Sequence, residues 1–165
     1  MSSPALNVHG DDCRHVPRSV VMVIPVDPHE RILVHKRGPN VRSAPNVWSF
    51  PSGLHEHGES LEDAARREIM EEFNLKIEHL IQVGTYENQP GDGWHWVITL
   101  FIGSVENVEA YTNREPDKHP EVWTDHIGCI LDKQFWSQFN QSLYDFAYRR
   151  RGLLLEYAGD LFEHV

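Results

Sequence analysis

The chain has 165 residues, 40% of them hydrophobic and 24% charged, which fits one globular domain and excludes a chain disordered throughout. Its 25 Asp and Glu stand against 15 Lys and Arg, a formal net charge of −10. That balance argues against sequence-independent nucleic-acid binding and suits a protein that holds cations. No apolar stretch reaches the ~18 residues of a membrane helix, and residues 1–10 lack the basic start and apolar run of a secretory signal. Two cysteines, Cys13 and Cys129, make no disulfide framework, so a reduced, cytoplasmic setting is expected.

Residues 1–18 are expected to be a flexible lead-in; His9, Cys13 and His15 within it match no zinc spacing. Residues 20–24 are a buried-type apolar strand, 27–30 turn material, and 31–37 a second strand with Ile32, Leu33 and Val34. Residues 47–50 make a short strand ended by Pro51, and 60–73 a helix. Residues 77–87 and 94–104 read as a hairpin around a loop holding Pro90, Gly91 and Gly93. After a polar loop over 105–120 comes a last strand, 121–127. A second helix follows over 133–151, with Phe135, Phe139, Leu143 and Phe146 or Ala147 at helical spacing and Gly152 as its stop. Strands outnumber helices and come mostly in hairpin order, which predicts a mixed α/β domain over 19–151 with an extension over 152–165, not a regular doubly wound fold.

The helix over 60–73 breaks local rules at one end. Ser60 is a good N-cap and Asp63 nearly completes a capping box. At ~100° per residue from Leu61, Ala65, Ile69 and Phe73 form an apolar stripe, while Glu72 (near ~20°) and Glu68 (near ~−20°) fall within or against it. Glu71 lies further round, near ~−80°, and Arg67 and Met70 on the outward side. Glu71 and Glu72 sit at the end the helix dipole disfavours, and Glu68 and Glu72 are a like-charge pair at i,i+4. Carboxylates converging on a covered face call for protonation or a hard divalent cation with oxygen ligands, Mg²⁺ first.

Gly53, Glu59, Arg67, Glu68, Ile69, Glu71, Glu72, Asn74 and Leu75 together resemble the Nudix box, with Asn74 where the pattern has Gly and Ser52 where many members carry a second Gly. Chance filling of the six fixed Gly, Glu and Arg positions is roughly 10⁻⁷ per window. The resemblance implies an α/β/α sandwich around a mixed sheet and a hydrolase of nucleoside diphosphates linked to another group X. It implies Mg²⁺ as cofactor, with Mn²⁺ as a substitute, and makes a homodimer compatible with the chain. A triphosphate giving monophosphate and pyrophosphate is the leading substrate. An ADP-ribose or nucleotide-sugar pyrophosphatase is the alternative, hinted at by Pro90. A nucleotide-binding sensor module on the same scaffold is the non-enzymatic one, disfavoured because all four box glutamates are present.

By the same resemblance Glu68 and Glu72 are metal ligands, and Glu71 is a further ligand or the base acting on water. Arg67 orients a carboxylate, with Glu71 at i+4 as its expected partner. Glu59 steadies the loop or approaches a metal, and the Ser52 or Gly53 carbonyl is a ligand. Outside the box, Arg37 stands at a strand end where it can meet a phosphate. Trp48, Trp94 and Trp96 are candidates either to stack on a base or to pack in the core. Glu115 and Glu121, on and after the late loop, are candidates for one more catalytic or metal-binding Glu. His55 and His57 are expected to face solvent.

Overall fold

Alternation along the first strand sets up two cores. The computed structural model describes residues 16–41, 43–91 and 93–163, so the His9, Cys13 and His15 set lies outside the described residues. In strand β1 (Arg18–Val26), Val21 and Val23 enter one apolar cluster, and Met22, Ile24 and Val26 enter the other, as a period of two demands. Strand β2 (Arg31–Lys36) continues the division, with Leu33 on the first side and Ile32 and Val34 on the second.

The sheet is mixed and seven-stranded. One edge of β1 runs parallel to β6 (Trp96–Ser104) over nine register pairs, and β6 pairs antiparallel with β5 (Leu80–Asn88). The other edge is divided: Val20–Met22 pair with the short strand β4 (Ser52–Leu54), and only Val26 reaches β2. Beyond, β2 pairs antiparallel with β3 (Trp48–Ser49) and β7 (Glu121–His126). Helix α1 (Leu61–Phe73) covers the first face. Helices α2 (Lys133–Trp136), α3 (Gln141–Tyr148) and α4 (Arg151–Asp160) cover the second, which gives the expected α/β/α sandwich. Among the described residues no helix is long and apolar enough to cross a membrane.

The structure corrects the sequence reading in five places. Strand β4 was not expected, because three residues after Pro51 are too few to show a period. The loop over 105–120 is less open than its polarity implies: Val105, Val108 and His119 are buried. The single helix over 133–151 is two, α2 and α3, and α4 begins where it was expected to end. Phe135, Phe139, Leu143 and Phe146 all reach the larger core, so their spacing is sound, but the Asn140 side chain accepts the Leu143 N–H at 2.9 Å and starts a new helix. Gly152 does not stop a helix but lies inside α4. Residues 152–163, expected as an extension, place Leu154, Ala158 and Leu161 in the core.

Candidate functional site

Helix α1 begins as its sequence dictates. The Ser60 hydroxyl accepts the Asp63 N–H at 3.0 Å, and Ala64, Ala65, Ile69 and Phe73 are fully buried. Burying Ile69 and Phe73 is worth ~1.5–3 kcal/mol each. The same stripe carries Glu72 under cover, 7% exposed, while Glu71 stays exposed. Asn74 ends the helix in the left-handed conformation (φ 55°, ψ 37°) that Gly usually supplies.

Glu72 is the centre of the site. Its Oε2 is buried and has no hydrogen-bond partner among the described residues. Burial, then the charges of Glu68 and Glu115, push its carboxyl well above the usual range; the Ser52 N–H and Arg37 oppose this. Glu68 is likewise raised, by burial first, against the pull of Arg67. A Cβ at Gly53 would fall on the Glu68 carboxylate, so a side chain there would push that carboxylate out of its place beside Arg67.

Strand pairing distinguishes the two candidate carbonyls. Val23 N–H bonds Pro51 O, and His55 N–H bonds Ser19 O. The residues between alternate, so Gly53 turns its backbone groups to Val21, and Ser52 and Leu54 turn theirs away from β1. The Leu54 carbonyl accepts from Arg67 at 2.9 Å, and the Ser52 N–H points at Glu72. The Ser52 carbonyl shares that orientation and is the better-placed oxygen.

Arg67 does not lie on the outward face. Its guanidinium is half-buried and forked onto Glu59 at 2.6 and 3.0 Å, with Glu68 at 2.8 Å and Glu71 at only 3.4 Å. The main partner is therefore Glu59 and not Glu71. Glu59 is held down to about 2, chiefly by that fork. Its carboxylate also accepts the Glu56 N–H at 2.8 Å, closing the box loop. His55 is not solvent-facing: its ring nitrogens lie 2.6 Å from Glu59 O and 3.2 Å from Ser19 Oγ. His57 is exposed as expected.

The late loop is tied to the end of α1. The Thr112 and Arg114 N–H groups donate to Phe73 and Glu72 carbonyls at 3.0 and 2.9 Å, oxygens a helix end leaves unpaired. The Arg114 guanidinium donates to Asn74 Oδ1 at 2.7 Å and to Met70 O at 3.3 Å. Asn74 thus adds a contact that Gly could not make. The loop delivers Glu115 and His119 to Glu72: one ligand atom from each of the three falls within 4.8 Å of the others. Glu121 is outside this cluster, exposed on β7 opposite Lys36.

The sequence reading did not foresee His119 or His35. Both are buried beside Phe73, His119 stacked on its ring at 5.1 Å and His35 4.2 Å from His119 between centroids. Burial first lowers both, His35 to about 3 and His119 to about 4, so both imidazoles are neutral. The available signal was Glu115 and His119 at i,i+4.

Of the substrate-binding candidates, Arg37 is at the cluster, close enough for its charge to act on Glu72 and His119, with its Nε donating to Ser43 O at 2.9 Å. Trp48 and Trp96 are not: both pack against the core on the far side of the sheet, Trp96 stacked on Trp94 at 4.8 Å. Trp48 lines a hollow there with Val34, Trp123 and Phe139.

A family model described as the NUDIX domain matches residues 16–137. The chain belongs to the Nudix family. A curated relative named NAD-capped RNA hydrolase NUDT12, from Macaca fascicularis, is 32% identical over 117 residues, 70% of this chain and 23% of its own length. Another, m7GpppN-mRNA hydrolase NUDT17 from Danio rerio, is 39% identical over 57 residues, 34% of this chain and 19% of its own. The chain thus spans about a fifth to a quarter of these relatives. A structure described as a MutT protein from Methanosarcina mazei Go1 superposes with a TM-score of 0.67 at 19% identity, covering 81% of this chain and 91% of that one. A MutT Nudix hydrolase from Burkholderia pseudomallei gives 0.60 at 24%, over 68% and 84%. These likenesses establish the shared fold.

Proposed function

We propose that this Nudix domain hydrolyses the phosphoanhydride bond of a nucleoside diphosphate linked to X, with a divalent cation, Mg²⁺ or Mn²⁺, as cofactor. The observation that carries the reading is the buried, unpartnered Glu72 Oε2 with two more carboxylates acting on it. Such a group is unfavourable unless it is protonated or meets a cation. The donors fit a hard ion: the carboxylates of Glu68, Glu72 and Glu115, with the Ser52 carbonyl on the same side. When bound there, a divalent cation neutralises polyphosphate charge and lowers the pKa of water.

The chain's own residues have separable tasks. Arg67 holds Glu59 and Glu68 in place and reaches Glu71. Glu71, on the exposed side of the helix, is either the base for the attacking water or a further ligand. Arg37 is placed to take a phosphate charge beside Glu72. Glu59 serves through the loop and not as a ligand, because both its oxygens are committed to Arg67 and Glu56.

A nucleoside triphosphate, cleaved to monophosphate and pyrophosphate, is the leading substrate. Dinucleotide diphosphates are the second reading, favoured by the relative named for NAD-capped RNA. Phosphorus NMR of the protein with Mg²⁺ tests both against a panel of triphosphates, NAD, ADP-ribose and nucleotide sugars. Pyrophosphate release supports the leading reading, and two monophosphate products from NAD support the second. In either case Glu72→Gln is expected to lose more than ~100-fold of turnover, since even outer partners of metal ligands are worth ~10–100-fold. Tight nucleotide binding with no product from any compound would instead make this a sensor module.

A further inference from the structure

We propose that His119 is a metal ligand, its Nε2 joining Glu72 and Glu115 in a mixed nitrogen–oxygen site that prefers Mn²⁺ or Co²⁺ to Mg²⁺. The proposal rests on the reading of Glu72 as a cation ligand and adds a donor of a different chemical kind.

Geometry carries the argument. His119 Nε2 lies 3.6 Å from Glu72 Oε2 and 3.6 Å from Glu115 Oε2. Both distances are too long for hydrogen bonds. Two ligands at about 2.1 Å from one ion stand about 3 Å apart at a right angle and about 4.2 Å apart in opposition, so 3.6 Å is a separation that ligands of one ion adopt. The His119 side chain is 6% exposed, and neither of its nitrogens has a hydrogen-bond partner among the described residues. Buried imidazoles ordinarily have at least one partner. The neighbouring His35 has one, its Nε2 lying 3.1 Å from Phe50 O while its Nδ1 has none among the described residues, whereas His119 has none on either nitrogen.

The ring of His119 is also held in place. The His119 N–H donates to Glu115 O at 2.9 Å, so one helical turn sets the two side chains side by side. Asn113 Nδ2 donates to His119 O at 2.7 Å, and Phe73 stacks on the ring. This is the preorganisation expected of a ligand. An imidazole adds little to a Mg²⁺ site, but it suits first-row ions that also accept carboxylates.

The test is pulsed EPR of the full chain loaded with Mn²⁺, with histidine labelled with ¹⁵N, beside calorimetric titration with Mn²⁺ and Mg²⁺. A directly bound histidine nitrogen is expected in the wild type, lost in His119→Asn and kept in His35→Asn. Mn²⁺ affinity should fall more than ~10-fold in His119→Asn, with a smaller change for Mg²⁺. An all-oxygen spectrum in the wild type overturns the proposal without needing any variant to fold, and so does a nitrogen signal that survives His119→Asn. If nucleotide hydrolysis with Mg²⁺ accompanies that all-oxygen spectrum, the proposed function stands and only His119 is lost. If Mn²⁺ does not bind and no nucleotide is turned over, both fail.

Discussion

The two faces of the sheet are built for different ends. On the far face, α2 to α4 pack Trp136, Leu143 and Leu154 with no exposure against Phe50, Leu100 and Ile102, and the Trp136 indole N–H finds Ile130 O at 2.6 Å. On the α1 face the apolar cluster is smaller, and at its edge Phe73 adjoins a carboxylate and two imidazoles, all buried. One layer holds the fold together. The other tolerates groups that cost stability, which is what a protein does where a ligand repays the cost.

Removing apolar mass from the far face should have the largest effect on stability. Trp136→Ala should destabilise by ~3–5 kcal/mol and Leu154→Ala by ~2–5 kcal/mol, read from urea unfolding, with turnover per folded molecule unchanged. A small effect at Leu154 would show that residues 152–163 are not part of the stabilising layer. On the α1 face the reverse split is expected. Arg67→Ala should lose ~10–100-fold in turnover with little change in unfolding. Arg67→Lys should not restore it, because a point charge cannot make the fork onto Glu59. Full rescue by Lys would reduce Arg67 to a source of charge.

The buried histidines sharpen the contrast through pH. His35 is held at about 3 in the folded chain against 6.5 unfolded, by burial first and then by His119 and Arg37, with Phe50 O and the Lys36 backbone opposing. The unfolded chain therefore binds more protons between these values. Stability is full above about 6.5 and falls as pH drops towards 3, with a slope near ~1.4 kcal/mol per pH unit for this one group. His119, held at about 4, adds to the slope over the upper part of that window. Denaturant melts from pH 7 to 4 should show a smaller slope in His35→Gln than in the wild type.

What could be read from the sequence follows the same division. The α1 segment was legible because chemistry overrode patterning there: Glu68 and Glu72 on an apolar stripe contradict ordinary helix design, and contradictions stand out. The far face was harder because Phe135, Phe139 and Leu143 keep one helical period across a chain that Asn140 interrupts, so apolar spacing alone hides the break. Arg67 was misjudged because a helical wheel places the Cα and not a long guanidinium that curls back over the loop. His119 escaped because its role depends on a loop folding onto Phe73 and Glu72, a long-range contact no local pattern encodes.

If a divalent cation makes the charge cluster on the α1 face favourable, thermal unfolding of the wild type and Glu72→Gln, each with a chelator and with Mn²⁺, will show it. The variant should melt higher than the wild type in chelator, because it removes a buried carboxylate from beside Glu68 and Glu115, and it should gain little from Mn²⁺, which should raise the wild type clearly. A variant that melts lower in chelator, or that responds to Mn²⁺ as the wild type does, would show that Glu72 holds no cation.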